Sequence, residues 1–241
     1  MKILITGSEG YIGSRLKKKI QDLGIGELFL IDLKKGNDLM TAKLPDVDIV
    51  FHLSAQSGAI PSIENPIWDA RTNILTTIRL AEHYKGKAKI IYTTSGGAKD
   101  PESPYGLSKK VGEEYLKMIH NNTVICRLSS IYGGKDRGVV DNFIRDEVPT
   151  VFGDGSAVRD FVHVDDIIEG LIKAMDWEAV EYEMGSGIGT SVKEIADATG
   201  KQIQYLPVRK GEKQEAILQN TTPNWKPEIE VLFYIKSLTN K

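Results

Sequence analysis

The 241-residue sequence predicts an α/β fold: a doubly wound parallel sheet followed by a small C-terminal lobe. Three observations carry this. Short apolar runs alternate with segments of helical period along the first half of the chain. The first of these runs breaks directly into regularly spaced glycines. After about residue 133 the alternation gives way to short elements between glycine-bearing loops.

The first run is Ile3, Leu4 and Ile5, followed by Gly7, Gly10 and Gly13 and a helical pattern at Ile12, Leu16 and Ile20. Strand, glycine turn and helix in this order form the setting in which spaced glycines bind a dinucleotide. Gly7 permits the tight turn, Gly10 lets the backbone approach a pyrophosphate, and Gly13 lets the helix lie close to the strand. The helix N-terminus, with Tyr11 and Ile12, then turns its N–H groups toward the phosphates. A second run, Glu27 to Ile31, ends in Asp32, about 20 residues past the glycines. A carboxylate there accepts hydrogen bonds from an adenosine ribose and repels a 2′-phosphate. Leu33 rather than an arginine follows it, which favours NAD over NADP. Asp38, next to Leu39, either hydrogen-bonds the adenine or is an ordinary solvated loop acid.

Asp48 to Leu53 reads as the third strand. Pro66 to Tyr84 reads as a helix, with Ile67, Ala70, Ile74, Ile78 and Ala81 at helical spacing. Ala88 to Thr93 is the fourth strand, Pro104 to Ile119 a second long helix, and Thr123 to Leu128 the fifth strand. This alternation implies right-handed crossovers and a Rossmann-type sheet. Ligands of such sheets lie beyond the carboxyl ends of the strands, here Thr6, Asp32, His52 to Ala55, Thr93 to Gly97 and Leu128 to Tyr132. Residues 1–132 are therefore expected to form a nucleotide-binding domain. Residues 133–241 are expected to form a small substrate lobe, with some chain returning to the sheet. In the lobe, helices are expected from Asp165 to Met175 and from near Ser191, and the polar stretch Asn220 to Pro227 is a loop.

A net charge of -2 offers nothing to nucleic acid or an anionic membrane. No apolar stretch approaches the ~18 residues of a membrane span, and a chain that opens on a core strand leaves no room for a signal peptide. Cys126 is the single cysteine and sits in an apolar run, as a buried thiol in a reducing compartment does. The histidines at 52, 83, 120 and 163 lack metal-ligand spacing. We expect a cytoplasmic, metal-free protein.

Tyr105 and Lys109 stand one turn apart at the start of the second long helix. An ammonium held near a phenol favours the phenolate and lowers the tyrosine pKa, which makes Tyr105 a candidate general base for a hydroxyl. Lys109 can also reach a nicotinamide ribose. Such a pair is equally common as two surface neighbours. The fourth strand, however, ends in Thr93, Thr94, Ser95, Gly96 and Gly97. A hydroxyl there, Ser95 first and Thr94 second, can hold a reacting oxygen, or can serve ordinary turn chemistry.

These residues together resemble the extended short-chain dehydrogenase/reductases, specifically the NAD-dependent nucleotide-sugar epimerase/dehydratases. The resemblance runs from Met1 to about Gly189 on GSEGYIG, VFHLSA (Val50 to Ala55), SIENP (Ser62 to Pro66), Asn73, YGLSKKVGE (Tyr105 to Glu113), RLSSIYG (Arg127 to Gly133) and FGDGSAVRDFVHVDD (Phe152 to Asp166). It implies NAD as cofactor, with Leu53, Ser54, Ala55, Asn73 and Thr93 among its contacts beside Tyr105 and Lys109. For the substrate it implies Phe152 near the nucleotide base, Arg159 and Arg209 on the diphosphate, and Asn142 and Phe143 at a helix start near the nucleotide. Arg159 beside Asp160 also reads as a local ion pair, and Arg209 as a loop charge. His163, Asp165 and Asp166 read as loop-organising and helix-capping residues.

The chain departs from the family pattern in three places. Ala98-Lys99-Asp100 leads almost at once to Pro104. The stretch from Gly133 to Phe152 and the tail after Arg209 are short, and Ser130 stands where asparagine is frequent. The family's dehydratases place an Asp-Glu pair after the threonine, whereas Ser or Gly stands here, as in UDP-sugar 4-epimerases. The resemblance therefore implies 4-epimerisation of a UDP-hexose through a 4-keto sugar. Tyr105 takes the 4-hydroxyl proton while the C4 hydride moves to NAD+, and Ser95 holds the sugar oxygen. A dehydratase or reductase of the same family, or a non-catalytic nucleotide-sugar binder, are the alternatives. The sugar stays open among glucose, N-acetylhexosamine and uronic acid, with Ala216 near a position where a small residue admits an N-acetyl group. The resemblance also implies a homodimer through a four-helix bundle of Pro66 to Tyr84 and Pro104 to Ile119, with Ile78, Leu116 and Ile119 serving either that interface or the core.

Overall fold

The computed structural model describes residues 1–134, 138–208 and 214–239. The chain divides into two compact units, one made of Met1–Arg127 and Leu171–Tyr182, the other of Leu128–Gly170 and Glu183–Lys241.

The first unit opens with β1 (Lys2–Thr6), α1 (Tyr11–Leu23), β2 (Glu27–Ile31) and β3 (Ile49–His52). It continues through α2 (Ala59–Glu64), α3 (Pro66–Ala70), a π turn (Arg71–Leu75), α4 (Thr76–Tyr84), β4 (Lys89–Ser95), α5 (Pro104–Ile119) and β5 (Thr123–Leu128). The strands form one sheet in the order β2-β1-β3-β4-β5, with the strand Glu181–Met184 beyond β5. The pairings of β1 with β2 and β3, and of β3 with β4, are parallel. Thr6, Ile31, His52 and Tyr92 are in register, so β1, β2 and β3 end level while β4 runs on to Ser95. Such a sheet is covered on both faces, which is why Ile3, Leu4 and Ile5 are all fully buried instead of alternating. One face packs Leu4, Val50 and Ile90 against Leu80 and Leu116.

The expected helix from Pro66 to Tyr84 is interrupted by the π turn. The Thr77 hydroxyl takes up the Asn73 carbonyl at 2.7 Å, and Thr76 does the same for Thr72 at 2.5 Å, so the widened turn keeps its acceptors satisfied. On these helices Leu116 belongs to the core, Ile119 packs against it and Ile78 is half-buried.

The second unit contains β6 (Ser130–Tyr132), α6 (Gly138–Arg145), β7 (Thr150–Phe152), β8 (Val158–His163), most of α7 (Val164–Lys173), the end of β9 (Glu181–Met184), β10 (Gly189–Ser191), α8 (Val192–Asp197), β11 (Gln204–Leu206), β12 (Glu215–Ala216) and α9 (Val231–Thr239). β8 is its hub, flanked by β10 and β12 and paired also with β6, while β7 pairs with β11. Tyr132, Phe143, Val151, Ile195 and Ile235 form its core. α8 starts with a capping box between Ser191 and Glu194. Among the described residues no helix is long and apolar enough to cross a membrane, and no His, Cys, Asp and Glu cluster could hold a metal.

Candidate active site

The glycine turn is built as its spacing requires. Gly7 has φ +71, and a Cβ on it would sit 2.8 Å from the Ser54 backbone, so the turn presses on the end of β3. A Cβ on Gly13 would collide with the Gly7 carbonyl oxygen, which sets how closely α1 approaches. Gly10 is the N-cap of α1, and the first turn carries no acidic residue and no side-chain cap among the described residues. Asp32 closes the cradle: its carboxylate accepts the Glu9 N–H and the Lys34 N–H, both at 2.8 Å. These features fit a pyrophosphate at the helix start and a ribose at Asp32.

Beside Asp32 lies a pocket lined by Asp38, Leu39, Ser54, Trp68 and Arg71. Asp38 is neither a free loop acid nor unengaged. It accepts from Arg71 at 2.6 Å and from the Met40 N–H at 2.9 Å, and both interactions hold its carboxyl below the usual range. Arg71 lies 5.6 Å over the Trp68 ring. No short motif singled out Trp68 or Arg71. They reach the pocket only because α3 and the π turn pass over it.

Asn73 is 1% exposed, and its side chain is spent on protein. Its amide donates to the Gln56 carbonyl, Asp69 Oδ1 and Ser108 Oγ at 3.1, 2.9 and 3.0 Å, and its oxygen accepts the Gln56 N–H at 2.8 Å. Asn73 thus shapes the loop after Leu53, Ser54 and Ala55 instead of presenting its own amide to a ligand. Beneath this loop His52 is buried between Thr6 Oγ1 at 3.0 Å and Thr77 Oγ1 at 2.9 Å. Burial, reinforced by Lys109, pushes its pKa down to about 3, so it stays neutral.

Tyr105 and Lys109 start α5, which Ser103 caps by accepting the Gly106 N–H. The Ser95 side chain at the end of β4 acts on the Tyr105 phenol and holds its pKa down against burial. Ser95 accepts the Gly97 N–H at 3.2 Å, which is its turn role. Thr93 donates to the His52 carbonyl at 3.2 Å, whereas Thr94 Oγ1 is buried and has no partner among the described residues. Lys109 is 3% exposed, its Nζ 4.3 Å from the centre of the Tyr92 ring.

The expected lowering of the Tyr105 pKa by Lys109 is not found in the protein by itself. Burial raises it, opposed by Ser95 and reinforced by the Asp69 charge. The reason lies in Lys109, whose pKa burial pushes down to about 7, so that much of its charge is lost near neutrality.

In the second unit, Phe143 is buried in the core while Asn142 stays half-buried on the same helix. Phe152 is half-buried, paired with Leu206 across two strands. Arg159 donates to the Val158 carbonyl at 2.8 Å. Its neighbour Asp160 is bound instead by Ser186, whose N–H it accepts at 3.0 Å. Ser130 pairs with Phe161 in the sheet. The His163 ring accepts the Asp165 N–H at 3.2 Å, and Asp166 accepts from Glu228 and Ile229, so these residues organise the loop and the helix start. Arg209 lies outside the described residues.

A model of the NAD dependent epimerase/dehydratase family matches residues 3–185. The chain belongs to this family. A putative UDP-glucose 4-epimerase of Methanocaldococcus jannaschii is 31% identical, over 99% of this chain and 97% of that protein. The UDP-glucose 4-epimerase of Thermotoga maritima, solved with UDP-glucose, superimposes with a TM-score of 0.85 at 29% identity, covering 99% of this chain and 97% of that one. The NAD complex of the Thermus thermophilus UDP-glucose 4-epimerase does so at 0.84 and 26%, with the same coverages. NAD is thus the cofactor of this family, and the glycine turn and Asp32 described above suit it. The alignment with the M. jannaschii protein runs over 296 positions against 241 residues in this chain, so the difference is taken up by internal gaps.

Proposed function

We propose that this protein is an NAD-dependent 4-epimerase of a UDP-hexose, with Tyr105 as the general base. The observation that carries the reading is Tyr105 at the start of α5, where the Ser95 side chain at the end of β4 acts on its phenol, with buried Lys109 one turn along the helix. The glycine turn and Asp32 would hold NAD+, which would supply the hydride acceptor and donor for C4 of the sugar. Tyr105 takes the proton of the 4-hydroxyl and later gives it back. Ser95 orients both the phenol and the sugar oxygen. Lys109, when protonated, stabilises the phenolate. Elimination needs an acid–base pair at this strand end, and Ser95, Gly96 and Gly97 supply none. Ser130, Asn142, Phe143, Phe152, Arg159 and Arg209 are the proposed contacts of the UDP-sugar, with the arginines on the diphosphate.

The test is a proton NMR time course with UDP-glucose, UDP-GlcNAc and UDP-glucuronate in turn and catalytic NAD+. New anomeric signals of a 4-epimer, absent in Tyr105→Phe, establish the reaction and name the sugar. A stable keto product, net consumption of reduced cofactor, or no change with any donor overturns the reading.

The same reading includes a homodimer through α3–α4 and α5. Its support is what these helices leave outside the core: Ile67 is 81% exposed and Met118 80%, with Leu75 and Tyr115 also exposed.

A further inference from the structure

We propose that Asp69 is a positioning residue of the site, the buried counter-charge that keeps the proton on Lys109. This rests on the reading of Tyr105 and Lys109 as the acid–base pair. Asp69 lies in α3, just before the π turn, and is 1% exposed. Its carboxylate accepts from Asn73 Nδ2 at 2.9 Å. No cationic nitrogen among the described residues lies in ion-pair range of it. A buried carboxylate without a nearby cation is costly, and calls for a compensating charge further off.

The network around Asp69 leads directly to the catalytic turn. The Asn73 amide, shared with Asp69, donates to Ser108 Oγ at 3.0 Å, and Ser108 donates to the Tyr105 carbonyl at 3.0 Å. Ser108 immediately precedes Lys109. The polar cluster of α3 and the π turn is therefore clamped onto the turn of α5 that carries both Tyr105 and Lys109.

The other groups facing Lys109 do not supply a free negative charge. Tyr92 on β4 offers only its ring face, and His52 on β3 is neutral. Tyr105, on the same helix, is neutral until it titrates. Glu113, also on α5, is fully buried, but both its oxygens are engaged by Arg127 at 3.1 and 2.5 Å. Asp69 remains. Burial drives the proton off Lys109, and Glu113 and Asp69 oppose it. In return, burial pushes the Asp69 carboxyl up, opposed first by the Ser108 hydroxyl and then by Lys109.

Removing the Asp69 charge makes Lys109 lose its proton at lower pH. In protein labelled with 13C-lysine, the Lys109 Cε signal, identified by its absence in Lys109→Met, is followed through its titration. Asp69→Asn is expected to lower the Lys109 midpoint by about one pH unit, and Asp69→Glu to restore it. The alkaline limb of kcat/KM moves to lower pH with it. A Lys109 titration unchanged in Asp69→Asn overturns the proposal, even if turnover falls. Full epimerisation by Lys109→Met would instead overturn the acid–base reading, while the titration would still report on Asp69. Should Asp69→Asn fail to fold, the carboxyl 13C signal of Asp69 in the wild-type protein decides. A carboxylate over the range where Lys109 holds its proton is required, and a carboxylic acid throughout that range overturns the proposal.

Discussion

The Ser62 hydroxyl accepts the backbone N–H of Tyr105 at 3.0 Å while donating to the Ala59 carbonyl at 2.6 Å. α2 thereby occupies one of the N–H groups that the first turn of α5 cannot satisfy itself, and anchors the backbone of the proposed base. Ser62→Ala leaves that N–H buried without an acceptor. We expect a loss of about 1–3 kcal/mol in urea unfolding, with a fall in kcat larger than any change in KM. Unchanged stability would show that the anchor is dispensable.

Lys109 gives the stability a defined pH dependence. Its folded pKa of about 7 lies below its ordinary value because of burial. Between pH 7 and about 10.4 the unfolded chain therefore holds a proton that the folded protein lacks. Stability gains up to about 1.4 kcal/mol per pH unit from this group as pH rises through that window, and below it the buried ammonium costs most. Urea unfolding of the wild type and Lys109→Met at several pH values should show the difference between them changing in this direction.

Glu113 is a buried carboxylate held by Arg127, which also bonds Glu181 at 3.0 Å. Arg127→Ala strands the Glu113 charge and is expected to cost about 3–5 kcal/mol. Replacing both with apolar residues of similar size should recover most of that loss. If the double variant is no more stable than the single, the cost lies elsewhere.

Asp32 ties the glycine turn to the end of β2 through the Glu9 N–H. Asp32→Ala should weaken NAD+ binding by about tenfold or more, one to two hydrogen bonds to a charged group, and should narrow the preference over NADP+. Isothermal titration with each cofactor measures both effects.

Met118 is the most exposed apolar residue of α5. Met118→Glu should turn a dimer into a monomer in sedimentation equilibrium without loss of helix signal. A wild type that sediments as a monomer removes the four-helix-bundle interface.

The sheet was legible in the chain because parallel strands buried on both faces leave continuous apolar runs, as at Ile3–Ile5 and in Ile49, Val50 and Phe51. The glycine turn, Asp32, Ser95, Tyr105 and Lys109 were legible for a similar reason: each depends on spacing within one segment or at one strand end. The π turn was not. It depends on threonine hydroxyls meeting their own backbone, and helical periodicity averages over that.

Sequence by itself thus determined the strands β1 to β5, the helices α1 and α5 and which residues stand at the strand ends, since these follow from local geometry and periodicity. Only the tertiary structure decided that Asn73 faces protein, that Arg71 and Trp68 enter the pocket beside Asp32, and that Asp38 is paired. It also decided that Lys109 is buried among Tyr92, Glu113 and Asp69. Burial and charge at a point are sums over segments far apart in the chain, and those sums set whether a lysine keeps its proton.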